Sequence, residues 1–150
     1  WDPLLRADFV GLTFRHDRGH LVRALYEGIA FSLRDVLEQF RAQNLAPASA
    51  RLIGGGARSA TWRQVIADVL DLPIHVPAVT DASFGAALVA GIGVGVFADA
   101  AAAVQACVRS AAGVEPQAAR RGLYDELFGL YRQSQAGLQA VNHALSRVTP

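Results

Sequence analysis

Three consecutive glycines, Gly54, Gly55 and Gly56, are followed by Ala57, Arg58, Ser59 and Ala60. The short run Arg51-Leu52-Ile53 leads into them, and Trp62, Val65, Ile66, Val69 and Leu70 follow at helical spacing. This order reads as strand, glycine turn and helix N-terminus. Glycine has no Cβ, so such a turn can bring backbone N–H groups against a flat or anionic ligand. The helix adds its own free N–H groups and the positive end of its dipole. The chemistry on offer is binding, and nucleotides are commonly held this way. Two other readings stay open. The turn can be a purely structural strand-to-helix connection. Gly54-x-Gly56-x-x-Ser59 also approaches a Rossmann-type dinucleotide fingerprint, although the third glycine is absent. A Walker A loop is excluded, because no Gly-Lys-Ser/Thr follows.

Other polar residues offer less. Arg23 and Glu27 form an i,i+4 pair, and Arg34 lies seven residues beyond Glu27. Helix-surface ion pairing accounts for them. A sharper reading has Gly28 admitting this helix to the glycine turn, with Glu27 accepting hydrogen bonds from the turn's N–H groups. Arg58 either reaches a phosphate or is a solvated arginine. His16 and His20 have a spacing a metal could use, but no third ligand is patterned nearby, so no metal site is expected. His75 and His143 read as ordinary. No Ser/His/Asp or Cys/His set is present, and Asp35, Asp68 and Asp71 fall on helix patterns. No catalytic residue is assigned.

The elements that must position the turn follow from periodicity and punctuation. Residues 1–14 read as an irregular lead-in, with Phe9 to Leu12 a candidate extended stretch. A helix is predicted from about Arg18 to Gln43, with Leu21, Leu25, Ile29, Ser32, Val36 and Phe40 along one face. Arg51 to Ile53 make a short strand, and a helix runs from about Thr61 to Leu70. Pro73 ends it, and Ile74-His75-Val76 forms a second strand closed by Pro77. Asp81 or Ser83 caps the next helix, whose Gly85, Ala86, Ala87 and Ala90 allow close approach of a neighbour. A further helix covers about Ala100 to Arg109. Glu115-Pro116 opens the last one, where Leu123, Leu127, Leu130, Ser134, Leu138, Val141 and Leu145 form a seam. The seam is read as packing onto the domain, with a coiled-coil dimer or a helical interaction module as the alternative. Two apolar strands make a poor sheet alone, so partner strands are expected upstream of Trp1.

Three blocks resemble the FGGY carbohydrate kinases. Arg23-Ala24-Leu25-Tyr26-Glu27-Gly28-Ile29-Ala30-Phe31 through Arg34-Asp35 is similar to that family's R-A-x-x-E-G-x-A-F-x-x-R-D helix. Gly54 to Ser59 with Trp62, Gln64, Ala67, Asp68, Leu70 and Pro73 resembles its glycine block. Gly85-Ala86-Ala87-Leu88 with Ala90 resembles its G-A-A-x-x-A helix. The blocks keep the family's order and spacing, and xylulokinase-like members are closest in pattern. The resemblance implies an α/β fold: the C-terminal lobe of an actin-like, ribonuclease-H-like ATPase, lacking its first strands. It implies ATP as the nucleotide, with Mg2+ accompanying it, and a sugar bound through the other lobe, which also carries the catalytic base. The nucleotide-binding residues it implies are Gly54, Gly55, Gly56, Ala57, Ser59 and Ala60; Glu27 and Arg58 are the candidates for support from the reading of the residues above. The chain departs from the family at Ala7 and Asp71, where glycines are usual, and in the acid before Gly85, displaced to Asp81.

Composition limits the alternatives. The chain has 150 residues, 52% hydrophobic and 18% charged, enough for one folded domain. A net charge of +1 gives no sign of a nucleic-acid or membrane-surface partner. All 14 basic residues are arginine. The single cysteine, Cys107, sits among alanine and valine and reads as a buried, inert thiol. Ala82 to Ala98 is uncharged but interrupted by glycines, and reads as a buried helix, not a membrane span. The start Trp1-Asp2-Pro3 has no signal-peptide pattern, so a cytoplasmic location is expected. The absence of methionine gives the chain the look of a fragment.

Overall fold

The computed structural model describes residues 2–148. Asp17 opens helix α1 (Arg18–Ala42), its side chain accepting from the His20 N–H at 3.1 Å while the His20 ring faces back to the Asp17 N–H. The helix stops at Gln43, and Asn44 takes a left-handed φ of 60°. Strand β1 (Ala50–Arg51) leads to a 3-10 turn at Gly55–Arg58 and then to α2 (Ala60–Leu70), capped by Ser59. Strand β2 (Ile74–Pro77), α3 (Ala82–Gly93), α4 (Ala100–Cys107) and β3 (Ser110–Val114) follow. A second 3-10 turn, Ala118–Arg120, runs into α5 (Arg121–Val148). Among the described residues no helix is long and apolar enough to cross a membrane.

The sheet has the order β1-β2-β3. Strands β1 and β2 are parallel, with Ala50 opposite Ile74 and Arg51 opposite His75. Strand β3 returns antiparallel to β2, pairing Val114 with Ile74 and Gly113 with His75. Alternation turns Ala50, Leu52 and Ile74 toward the core and Arg51 and His75 away from it. Arg51, His75 and Arg109 line an open hollow of about 330 Å3. Helix α2 is the centre of the core. Val65, Ile66, Ala67, Val69 and Leu70 are all buried, beneath Ala30, Phe31 and Leu37 of α1 and Tyr124 and Phe128 of α5. A helix buried all round in this way needs cover on every side.

The structure corrects several expectations. The strand before the glycines is Ala50–Arg51, not Arg51–Ile53, although the Leu52 N–H still donates to the His75 carbonyl at 2.9 Å. A third strand, β3, lies where the sequence carries only Ser-Ala-Ala-Gly-Val, and it shortens α4 to end at Cys107. The last helix begins at Arg121, not at Glu115-Pro116. In α1 the buried side chains are Ala30, Phe31 and Leu37, whereas Leu25, Ile29, Val36 and Phe40 of the predicted stripe are about half exposed. Helix α3, read as buried, buries none of its residues, and Cys107 is only half-buried. Asp81 is the cap of α3, accepting from the Ser83 N–H at 2.8 Å. Trp1 lies outside the described residues.

Helix α5 packs onto the domain, but mainly through residues outside the leucine seam, of which Leu127 alone leans on the core cluster. Tyr124 and Phe128 are buried and Leu127 and Tyr131 lean on the core, while Leu123, Leu130, Val141 and Leu145 are exposed. Phe31 sits 6.1 Å from Phe128 and 5.4 Å from Tyr131, and the Arg34 guanidinium lies 4.7 Å above the Phe128 ring. Phe128→Ala is therefore expected to lower the unfolding free energy by about 3–5 kcal/mol. Leu130→Asp, on the exposed face, should change it by only about 0.5 kcal/mol. Urea unfolding of both variants checks this. A larger loss from Leu130→Asp would mean that the buried face of α5 has been assigned wrongly.

Candidate functional site

Two of the three glycines have a reason inside the described residues. Gly54 has φ +81°, a left-handed conformation that side chains rarely adopt. Its N–H donates to the Thr80 carbonyl at 3.1 Å, tying the turn to the residues that enter α3. Gly56 is squeezed from inside: a Cβ there would meet Cδ1 and Nε1 of Trp62 at 2.9 Å. Gly55 has neither constraint. Its φ is ordinary and a Cβ would meet nothing within 4 Å. No contact within the described residues requires glycine at this position.

The turn is fixed at both ends. The Ala57 N–H donates to the Gly54 carbonyl and the Ser59 N–H to the Gly56 carbonyl, each at 3.1 Å. Arg63 donates from Nη1 to the Ala57 carbonyl at 2.7 Å. Ser59 Oγ accepts from the Trp62 N–H at 3.2 Å and so caps α2. The amides of Gly55 and Gly56 come before the first N–H that a 3-10 turn can satisfy internally. They lie on an exposed surface with Arg58 and Ala60, beside the start of α2. An exposed pair of adjacent amides at a helix N-terminus suits a polar or anionic group.

The predicted binding residues divide accordingly. Gly54, Gly55, Gly56, Arg58 and Ala60 share one exposed corner. Ala57 is buried as a whole residue, 1% exposed, with its N–H on the Gly54 carbonyl and its own carbonyl on Arg63, so it lies beneath this corner and not on it. Ser59 is spent on the helix cap. Arg58 is exposed, with no hydrogen bond or ion pair among the described residues, which fits a solvated arginine.

Glu27 does not serve the turn. Its carboxylate accepts from Arg23 Nε at 2.7 Å and from the Tyr124 hydroxyl at 2.8 Å, and Arg23 Nη2 donates to the same hydroxyl at 2.6 Å. Burial, followed by the neighbouring carboxylate, raises the Tyr124 pKa and keeps the phenol a donor. Gly28 does not make a close approach either, since a Cβ there would meet nothing within 4 Å. The remaining charges of this helix block also hold α5. Arg34 pairs with Asp125, and Arg132 with Asp35 at 3.5 Å.

The other carboxylates are similarly occupied. Asp68 is buried, accepting from Gln64 Nε2 and the Gln117 N–H, both at 2.8 Å. Asp71 pairs with Arg121 at 2.8 Å. Among the described residues no group of three His, Cys, Asp or Glu could hold a metal ion. His16 and His20 meet edge to face, with ring centroids 5.4 Å apart. His143 pairs with Asp2 at 2.7 Å, which together with Gln139 holds the Asp2 carboxyl down at about 2. Sequence reasoning missed the parts played by Thr80, Arg63 and Tyr124. Thr80 contributes only a backbone carbonyl, Tyr124 reaches Glu27 from 97 residues away, and Arg63 bonds a backbone carbonyl six residues back, which its residue type does not announce.

Comparison with known proteins gives the family and the fold. Residues 1–94 match the family model described as the FGGY family of carbohydrate kinases, C-terminal domain. The chain is 33% identical over 145 residues to the xylulose kinase of Bacillus subtilis, covering 96% of itself and 29% of that protein. It superposes on the crystal structure of xylulose kinase from Rhodospirillum rubrum with a TM-score of 0.81 and 34% identity, over 95% of this chain and 29% of the other. Plasmodium falciparum glycerol kinase, solved with ADP, gives a TM-score of 0.70 and 27% identity over 86% of this chain and 26% of that one. The fold is thus the mixed α/β lobe of the actin-like, ribonuclease-H-like ATPases. The chain spans less than a third of the length of these relatives.

The Glu27 network gives a direct test of its structural role. Tyr124→Phe removes two hydrogen bonds, the one to the Glu27 carboxylate and the one from Arg23, and is expected to cost about 1.5–3 kcal/mol of stability. Chemical denaturation measures it. A loss near zero would mean that Glu27 is free to act elsewhere.

Proposed function

This chain belongs to the FGGY family of carbohydrate kinases, and we propose that it is the lobe of such a kinase that holds the adenine nucleotide, at the glycine turn. The observation that carries the reading is Gly55. It is glycine without a steric or dihedral reason inside the chain, and it lies between two residues whose reasons are plain. A ligand approaching the exposed backbone supplies the missing reason. Gly54 and Gly56 shape the surface, the buried Ala57 anchors it from below, Ser59 holds the helix start, and Ala60 borders it.

The whole protein would transfer the γ-phosphate of ATP to a sugar hydroxyl, with a ketopentose such as xylulose as the acceptor. The names of the xylulose kinases it resembles support that choice of sugar. Phosphoryl transfer of this kind rests on positioning, charge neutralisation and a base at the attacking hydroxyl. This chain's part is positioning, by backbone amides and the helix terminus. Mg2+ would arrive with the nucleotide, held by phosphates and water. Sugar and base would belong to the other lobe, as the family resemblance implies; within this chain Asp35, Asp68 and Asp71 are engaged in ion pairs. A cytoplasmic location goes with this reading.

Two outcomes are expected. Gly55→Val leaves the fold intact, because the space is open, yet in the full-length protein it should weaken nucleotide binding at least about tenfold, or 1.4 kcal/mol. Calorimetric titration with ADP decides it, and a folded variant with unchanged affinity would remove the site. Gly56→Val is the poorer test, since its side chain would strike Trp62. The second outcome concerns the isolated chain, which should give no sugar-dependent ADP release in a coupled assay with ATP, magnesium and pentoses. Turnover well above the Gly55→Val control would place a catalytic residue within it.

A further inference from the structure

The glycine turn is pinned at its ends, by Thr80 on Gly54 and by Arg63 on Ala57. Under Gly56, in its middle, lies one large side chain. The Trp62 indole lies so close beneath Gly56 that a Cβ there would stand 2.9 Å from two of its atoms. The indole is itself held in place. Its backbone N–H is tied to Ser59 Oγ at 3.2 Å, and its ring leans on Tyr26 of α1, with centroids 5.3 Å apart and planes at 48°. Trp62 is only half-buried and packs against the rim of the core, not within it. Its ring thus faces the turn on one side and α1 on the other.

We infer that Trp62 is a positioning residue for the nucleotide: its indole is the floor that sets the path of the Gly55–Gly56 backbone and holds the two amides outward. This rests on the reading of the turn as the nucleotide site. Backbone donors work best when they are already aimed before the ligand arrives, because no reorganisation is then needed. Glycine alone supplies no such stiffness, since it is the most conformationally free residue. A rigid planar ring against Gly56 supplies it, and Tyr26 couples that ring to α1. A shorter side chain at position 62 would leave the helix in place but let the two amides wander.

The test uses the full-length protein. Trp62→Ala should weaken ADP binding and raise the KM for ATP about tenfold while leaving the sugar KM unchanged. Trp62→Phe, which keeps a flat ring, should recover most of that loss. In protein labelled with 5-fluorotryptophan, the fluorine resonance absent from Trp62→Phe should shift when ADP is added. Wild-type ADP affinity in a folded Trp62→Ala, alongside weakened binding in Gly55→Val, would overturn the inference and leave the site standing. Unchanged affinity in both variants would remove the site and the inference together. Equal losses for ATP and sugar would show a general structural defect and also overturn it. Should Trp62→Ala fail to fold, Tyr26→Leu takes its place. Weaker ADP binding with an unchanged sugar KM is expected there, and wild-type affinity with a static Trp62 resonance counts against the inference.

Discussion

The burial of one helical segment organises everything else. Six consecutive residues of α2, Val65 to Leu70, are removed from solvent, so every direction around that helix must be covered. The sheet covers one side through Ile74, α1 another through Phe31 and Leu37, and α5 a third through Tyr124 and Phe128. At about 25 cal/mol per Å2 of apolar surface, such burial is the main stabilising term. It also places the α2 N-terminus, and with it the glycine turn, on a rigid body. The turn can then be thin and exposed without being loose.

One of those six residues is charged, and that exception shapes the chain beyond β3. Asp68 cannot be buried without partners. It finds them in Gln64, in the Gln117 N–H and in Arg120 at 3.6 Å. Gln64 donates at the same time to the Glu115 carbonyl at 3.1 Å. The stretch that joins β3 to α5 is thereby fixed to α2 before α5 begins. The charged residues of α1 then hold α5 along its first turns, through Tyr124 and Asp125. Residues that look like site chemistry in the sequence are thus the fastening of the last helix.

Much of the geometry of the candidate site is legible in the sequence because its signals are local. Glycines, a capping serine and a proline-limited helix mark the turn and α2 within a few residues. What escaped was non-local. Strand β3 has a weak pattern of its own and exists by pairing with β2. Pro116 suits a first helical turn, yet the backbone around it is engaged with Asp68 and Gln64, and the helix waits until Arg121. Helix α1 carries two apolar faces, and periodicity does not say which one meets the core; Phe31 and Leu37 do, and Ile29 and Val36 do not. Gly56 and Gly55 look alike as letters, and only the position of the Trp62 ring separates them.

Asp71 ends α2 in a left-handed conformation, with φ 52°, the backbone state in which glycine is the usual choice. An aspartate there carries a steric penalty that glycine would not, but it also narrows the conformations open to the unfolded chain. In the folded chain its carboxylate meets Arg121 at 2.8 Å. The end of α2 is therefore held partly by what the aspartate denies the denatured ensemble and partly by a clasp to the first residue of α5. The stability of this corner does not reside in the folded contacts alone. It is set by the difference between two ensembles, and the side chain at position 71 acts on both.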